Sequence, residues 1–124
     1  MLDVHLKNDA ERLTGLPVYP LLRPDDVNEC IVYQVVSEFK PDTGLADVSI
    51  ITQRYQFKII SPSRLKTIET EKLLLQAWVG LAHAKIDGYP VQYVARGGFT
   101  EDYDHSDAVW CRIRDFLITH NDEA

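Results

Sequence analysis

Cysteine, methionine and positive charge are all scarce in this chain of 124 residues. Its two cysteines, Cys30 and Cys111, fall in apolar runs, and no Cys-x-x-Cys pair or Cys/His spacing suited to zinc occurs. The sequence leaves a disulfide between them open. Because free cysteine is among the most buried residue types and the cytosol keeps thiols reduced, we favour two buried free thiols.

Lysine and arginine number 13 against 19 aspartates and glutamates, which gives a formal net charge of −6. A basic patch for binding nucleic acid is therefore not expected, and neither is attraction to an anionic membrane surface. No apolar run reaches the length of a membrane-spanning helix, and the charged N-terminus lacks the apolar segment of a signal peptide. We expect a cytoplasmic chain that binds no membrane and recognises no nucleic-acid sequence.

Motifs for catalysis are also missing. The four histidines, His5, His83, His105 and His120, are scattered without the i, i+4 spacing of a metal pair. Gly97-Gly98 lacks the lysine and the following helix of a phosphate-binding loop, and no serine lies in a nucleophile motif. The sequence therefore predicts no enzyme, no cofactor and no metal site.

Apolar periodicity predicts an α+β fold in one domain, 1–124. We expect a two-layer sandwich, in which a mainly antiparallel sheet of two β-hairpins and a short edge strand is flanked by a long helix and a short N-terminal helix. The predicted elements are a helix over 3–13 ended by Gly15, an edge strand over 18–22, strands over 30–39 and 46–60 joined by a turn at 41–44, a helix from 61 to about 83, a turn at 87–90, strands over 91–96 and 108–118, and a disordered tail over 121–124. The expected buried stripe of the second helix is Leu65, Ile68, Leu75, Trp78, Val79 and Ala82.

The first hairpin is long for so small a domain. Thirteen residues over 48–60 would reach about 40 Å in extended conformation, which predicts that the hairpin projects from the body of the domain. Its apolar face carries Ile51, Tyr55, Phe57 and Ile59, and its polar face carries Thr52, Arg54, Gln56 and Lys58. We expect Arg54, Gln56 and Lys58 to contribute to contacts between subunits.

Two faces alternate along the last strand. Val109, Cys111, Ile113 and Leu117 form the predicted core face. The opposite stripe is Trp110, Arg112, Arg114 and Phe116. Tryptophan, phenylalanine and arginine are enriched at protein interfaces, so this stripe is a predicted oligomer interface. Shielding of the aromatics by the arginines on a solvated face, or cover by a helix, would also explain it.

The loop predicted over 99–107 is acidic, with carboxylates at Glu101, Asp102, Asp104 and Asp107. Such a cluster could bind calcium, but the loop lacks the glycine and the final glutamate of a twelve-residue calcium loop. We favour solvated turn residues. A small enzyme or ligand-binding domain built on Asp102, Asp104 and His105 is the alternative.

The order of these segments resembles one family. The resemblance rests on Val-Tyr-Pro at 18–20, Cys-Ile-Val-Tyr at 30–33, Arg-Tyr-Gln-Phe at 54–57, the helix at 64–83 and Arg-Asp-Phe-Leu-Ile at 114–118. The chain is similar over 13–119 to the small tail-terminator and tail-completion proteins of tailed phages and prophages. The resemblance implies a structural protein without catalytic residues.

The resemblance also implies partners and a location. It predicts a ring of identical subunits, commonly a hexamer, that caps the tail tube and contacts the tail-tube and head-connector proteins. The chain would then be found in the cytoplasm of the bacterial host during assembly and in the virion tail afterwards. Because a basic lumen would bind DNA, the acidic residues Glu101, Asp102, Asp104 and Asp107 suit a lumen. Another virion adaptor, at the head–tail joint or the baseplate, is the nearest alternative.

Overall fold

The structure is a computed structural model, and it describes residues 1–40 and 49–122. The turn predicted at 41–44 and the last two residues of the predicted tail lie outside the described residues. The described elements are α1 (Leu2–Thr14), β1 (Val18–Pro20), β2 (Cys30–Phe39), β3 (Ile50–Ser61), α2 (Arg64–Trp78), β4 (Ala82–Ile86), β5 (Tyr89–Asp104) and β6 (Val109–Asn121).

The strands form one mixed six-stranded sheet in the order β1-β2-β3-β6-β5-β4. β1 pairs with β2 in parallel, and the other neighbours are antiparallel. Both helices pack on the same face of this sheet, which we call the inner face; the opposite one is the outer face. The α+β class agrees with the sequence prediction. The arrangement differs in detail: β2 pairs with β3 and β5 with β6 as antiparallel neighbours, but β4 is an additional strand.

An aromatic cluster joins α2 to the centre of the sheet. Trp78 of α2 makes edge-on contacts with Phe57 of β3 and Phe116 of β6, with ring centroids 5.1 and 5.2 Å apart, and all three side chains are buried. The indole Nε1 donates a hydrogen bond of 2.8 Å to Asp9 of α1, which ties the two helices together. Trp78 is therefore a core residue, as its place on the helical stripe predicts.

The second helix ends five residues earlier than predicted, at Trp78 rather than near residue 83. Gly80 has φ +88°, a conformation that favours glycine, and its N–H donates to the carbonyl of Val94 at 2.9 Å. The chain then forms β4 and turns through Asp87 and Gly88, both with positive φ, into β5. The turn at Asp87 and Gly88 agrees with the sequence prediction. The strand before it was not predicted, because Ala82 and Ala84 also suit the end of a helix.

Two further boundaries differ from the prediction. Gly97-Gly98 does not end a strand; β5 continues through a register shift between Arg96 and Phe99 as far as Asp104. A Cβ at Gly97 would lie 2.7 Å from the Cβ of Asp115, so the close approach of β5 to β6 at this position requires glycine. At the C-terminus, Asn121 pairs with Ile50 and Asp122 N–H donates to Ser49 at 2.8 Å, so the chain is ordered through residue 122.

The strand β3 is central and does not project over its described length. It pairs with β2 on one side, and every residue from Ile50 to Ser61 has a partner in β6 on the other. β3 is paired over its whole described length because β6 is at least as long, with 13 residues. The predicted inner residues of β3, Ile51, Tyr55, Phe57 and Ile59, are all buried, as expected.

Phe57→Ala should destabilise the protein by about 3–5 kcal/mol, because it removes a fully buried ring that contacts Tyr33, Trp78 and Phe116. Urea unfolding followed by tryptophan fluorescence would measure it. Phe39→Ala is the matched control, because Phe39 is 54% exposed and its loss should cost no more than about 0.5 kcal/mol. Equal effects of the two substitutions would contradict this assignment of the core.

Candidate assembly surface

The predicted interface stripe on β6 faces α2. Phe116 lies opposite Tyr55 and is fully buried, and Arg114 lies opposite Phe57 with 6% exposure. The predicted faces of β6 are thus reversed for much of the strand: Ile113 and Leu117 lie half-buried on the outer face. The error arose because an inner face containing two arginines looks polar, and because the carboxylate that accompanies them comes from a distant helix.

That carboxylate is Glu71 of α2, which is only 5% exposed. Its Oε2 lies 3.1 Å from Nε of Arg112 and 3.5 Å from Nε of Arg114. Neither contact has hydrogen-bond geometry, so these are charge contacts. The predicted helical stripe is corrected here as well: α2 turns Thr67, Thr70 and Glu71 inward and leaves Leu65 63% exposed.

Glu101 belongs to the same inner-face network rather than to an acidic loop. Its carboxylate accepts hydrogen bonds of 3.1 Å from Nε of Arg64 and 2.9 Å from Nη1 of Arg112. The hydrogen bonds from Arg64 are the main reason that the pKa of Glu101 lies below its usual range. Trp110 lies at the margin of this network, with the Arg64 guanidinium 5.7 Å from its ring centroid.

The other three acidic residues are Asp102, Asp104 and Asp107. They lie on the outer face or in the turn between β5 and β6. Asp102 is exposed, and Asp104 Oδ1 accepts hydrogen bonds from the N–H groups of Ser106 and Asp107, which shapes the turn. Asp107 forms an ion pair with Arg23. Residues 1–40 and 49–122 contain no group of three or more His, Cys, Asp or Glu side chains that could hold a metal ion.

A cavity of about 300 Å³ lies between the N-terminus of α1 and strands β2, β3 and β6. Asp3, Glu38, Gln53 and His120 are among its lining residues. His120 Nε2 lies 2.6 Å from Gln53 Oε1, and Gln53 Nε2 donates to Glu38 at 2.9 Å. The residues of the proposed ligand-binding alternative, Asp102, Asp104 and His105, do not line this cavity.

The two cysteines flank Ile60 from neighbouring strands: Cys30 and Cys111 are each its partner in the sheet register. Two strand spacings separate them by about 10 Å, beyond the reach of a disulfide. Both are free and buried, as favoured from the sequence, and burial raises the pKa of each thiol. Protonated, buried thiols are poor nucleophiles.

The outer face is the surface on which the remaining predicted interface residues lie. Arg54 forms a 3.0 Å ion pair with Asp115, and Gln56 accepts a 3.2 Å hydrogen bond from Gln34. With Lys58, Ile113 and Leu117 they form a half-buried, mixed surface that we call the outer patch; its residues are Arg54, Gln56, Lys58, Ile113 and Leu117.

Neither helix covers the outer patch, because both pack on the inner face. Val27 and Tyr19 pack on the outer side against a separate cluster at one end of the sheet, formed by Cys30, Val32, Ile60, Val109 and Cys111. Ile113 and Leu117 are partly exposed there among polar side chains, and a mixed apolar and polar surface is compatible with a non-obligate protein interface. The outer patch is therefore the best-supported candidate for contact with another protein.

These observations define the class of fold: an α+β protein with a mixed six-stranded sheet, two helices on one face and, within residues 1–40 and 49–122, no helix on the outer face. Neither helix of the described residues is long and apolar enough to cross a membrane. No protein-family model matches the chain, and no curated protein matches its sequence.

Among solved structures, the chain is similar to one from the virion of a native gene transfer agent (GTA) particle. The TM-score is 0.64 at 12% sequence identity, and the match covers 89% of this chain and 82% of the other. At this identity the two share a fold.

Glu71→Ala should lower the free energy of unfolding by about 3 kcal/mol, because it removes the common carboxylate of Arg112 and Arg114 and leaves Arg114 charged and buried, while Arg112 keeps its contact with Glu101. Glu69→Ala is the control on the exposed side of α2 and should change stability by no more than about 0.5 kcal/mol. Urea denaturation at neutral pH measures both. A Glu71 variant as stable as the Glu69 variant would show that the charge cluster adds nothing.

Arg64→Met should reduce the acid sensitivity of the fold. The lowered pKa of Glu101 stabilises the native state above the ordinary value of 4.5, and this contribution is lost as pH falls through the folded-state pKa. The stability difference between wild type and Arg64→Met should thus be present at pH 7 and shrink below pH 4.5. Urea midpoints measured at several pH values test this. A difference that does not vary with pH would contradict it.

Proposed function

We propose that this chain is a non-enzymatic structural subunit of a tailed, phage-like virion. The observation that carries the proposal is the fold, which matches a chain of a gene transfer agent virion over nearly its whole length. The open outer patch supports it, because an assembly subunit needs surface that only a neighbouring protein covers.

Within that class we propose the tail terminator: a ring, commonly of six subunits, that caps the tail tube and joins it to the head connector. The resemblance of the segments at 18–20, 30–33, 54–57 and 114–118 to tail-terminator proteins supports this narrower role. The net charge of −6 is compatible with it, because DNA passing through a ring would be held by a basic lumen. Assembly would take place in the bacterial cytoplasm, and the protein would remain in the virion tail.

The placement of the predicted residues refines this proposal. We assign subunit contacts to Arg54, Gln56 and Lys58 on the outer patch. The side chains of Arg112, Arg114 and Phe116 act within the subunit, where they pack beneath α2. For the lumen, Asp102 and Asp104 are better candidates than Glu101, because Glu101 is already paired with two arginines.

Deletion of the gene should produce particles with over-long tails, because a tube without its terminator continues to polymerise. Negative-stain electron microscopy of lysates measures the distribution of tail lengths. Full heads that lack attached tails of normal length would instead indicate a head–tail connector. Normal particles would contradict a virion role.

Gln56→Glu with Lys58→Glu should prevent incorporation of the chain into particles, since it adds negative charge at the centre of the outer patch. We expect at least a tenfold loss of the chain from purified particles by immunoblot. Lys72→Glu with Gln76→Glu is the matched control on the exposed side of α2. Equal incorporation of the two double variants would exclude the outer patch as the contact surface, provided that both have wild-type unfolding midpoints.

A further inference from the structure

Two segments at the margins of the sheet lack a neighbouring strand among the described residues. β1 pairs with β2 only at Ile31, Val32 and Tyr33, so β2 has an open edge over 34–39. On the other margin, β4 pairs with β5 only as far as Tyr93, and Leu81 bonds to Val94. β5 therefore has an open edge over 96–104.

The two open edges lie at opposite ends of the sheet. At one end of the sheet, neighbouring strands pair Phe39 with Thr52, Thr52 with Thr119 and Thr119 with Tyr93. The open edge of β2 lies at this end. At the other end, Cys30 pairs with Ile60, Ile60 with Cys111 and Cys111 with Asp102. The open edge of β5 lies at this end. β2 and β5 also run in opposite directions across the sheet. Two copies in the same orientation would thus present these edges to each other as antiparallel strands.

The edges carry complementary side chains. Val35, Val36 and Phe39 are 44%, 40% and 54% exposed on the β2 edge, and Phe99 is 45% exposed on the β5 edge. Glu38 and Arg96 are both exposed and point to the inner face, where Arg96 lies opposite Phe116 in β6. When the two edges pair as antiparallel strands, Glu38 and Arg96 lie at the same end of the junction. An exposed apolar strand edge is a template for pairing with another strand.

We propose that the β2 edge of one copy pairs with the β5 edge of the next copy, so that the sheets of successive subunits join into one closed β-ring. The inference rests on the proposed function in requiring a ring, and it adds a junction between strand edges to the contacts assigned to the outer patch. The contact is heterologous, since two different edges meet, and heterologous contacts generate rings. β1 covers one part of the edge of β2, and β4 covers one part of the edge of β5. Pairing between copies is therefore restricted to residues 34–39 of β2 and 96–104 of β5.

The offset between the two edges is compatible with closure. Ser37, at the centre of the β2 edge, lies level with Arg54; Thr100, at the centre of the β5 edge, lies level with Ile113 and therefore with Lys58. Four residues along β3 separate these levels, or about 13 Å, while the four strands β2, β3, β6 and β5 span about 19 Å. Alignment of the centres therefore tilts the strands by about 35°, a tilt typical of closed barrels.

Disulfide trapping tests this junction. Ser37→Cys combined with Thr100→Cys places thiols at the two edge centres on the outer face, and the native Cys30 and Cys111 are buried. Oxidation should give a covalent ladder beyond the dimer, in the purified protein or in recovered particles. Lys72→Cys combined with Thr100→Cys is the control, because Lys72 lies on the exposed side of α2 and away from both strand edges.

A ladder specific to the Ser37/Thr100 pair supports the junction. Dimers formed equally by Ser37→Cys alone would mean that the β2 edge pairs with itself, and absence of a ladder in both settings would exclude the junction; either result overturns the proposal. Over-long tails in the deletion strain together with no ladder would leave the terminator role intact, so the two failures are distinguishable.

A charge exchange provides a second readout. Arg96→Glu should weaken self-association roughly tenfold, and adding Glu38→Arg should restore it, because the pair is recreated with exchanged signs. Analytical ultracentrifugation measures the association. A double variant that associates no better than Arg96→Glu alone would count against this pairing of the edges.

Discussion

The packing of α2 against the centre of the sheet is the contact on which the rest of the structure depends. Trp78 packs against both Phe57 and Phe116, and Glu71 lies about two turns earlier on the same face of α2, against Arg112 and Arg114. Apolar burial supplies most of the stabilisation, while the charges must be matched because an unpaired buried charge is costly. Together they decide which face of β6 is covered and which is left for other proteins.

The regular parts of this fold could be predicted from the sequence. The bounds of β2 match the prediction, Gly15 ends α1 as expected, and the alternation in β3 identified the buried side chains correctly. These features depend on local spacing and local backbone preference. Their prediction does not require knowledge of contacts with distant parts of the chain.

The faces of β6 and α2 could not be predicted in the same way. Arg112 and Arg114 look solvent-facing because their carboxylate partner, Glu71, lies some 40 residues away in sequence, and only the fold brings them together. Ile113 and Leu117 look like core residues, yet they lie on the outer face. Partly exposed apolar side chains among polar ones are compatible with contact between this face and another protein. The misassigned strand therefore marks the proposed assembly surface.

The central claim is that the chain works as one of several identical subunits in a ring. Native mass spectrometry of the purified protein, with and without tail-tube protein, tests this most directly. The account predicts a closed oligomer of one defined size, formed alone or when tail-tube protein is added. A chain that stays monomeric under both conditions, or grows into assemblies of undefined length, would contradict it.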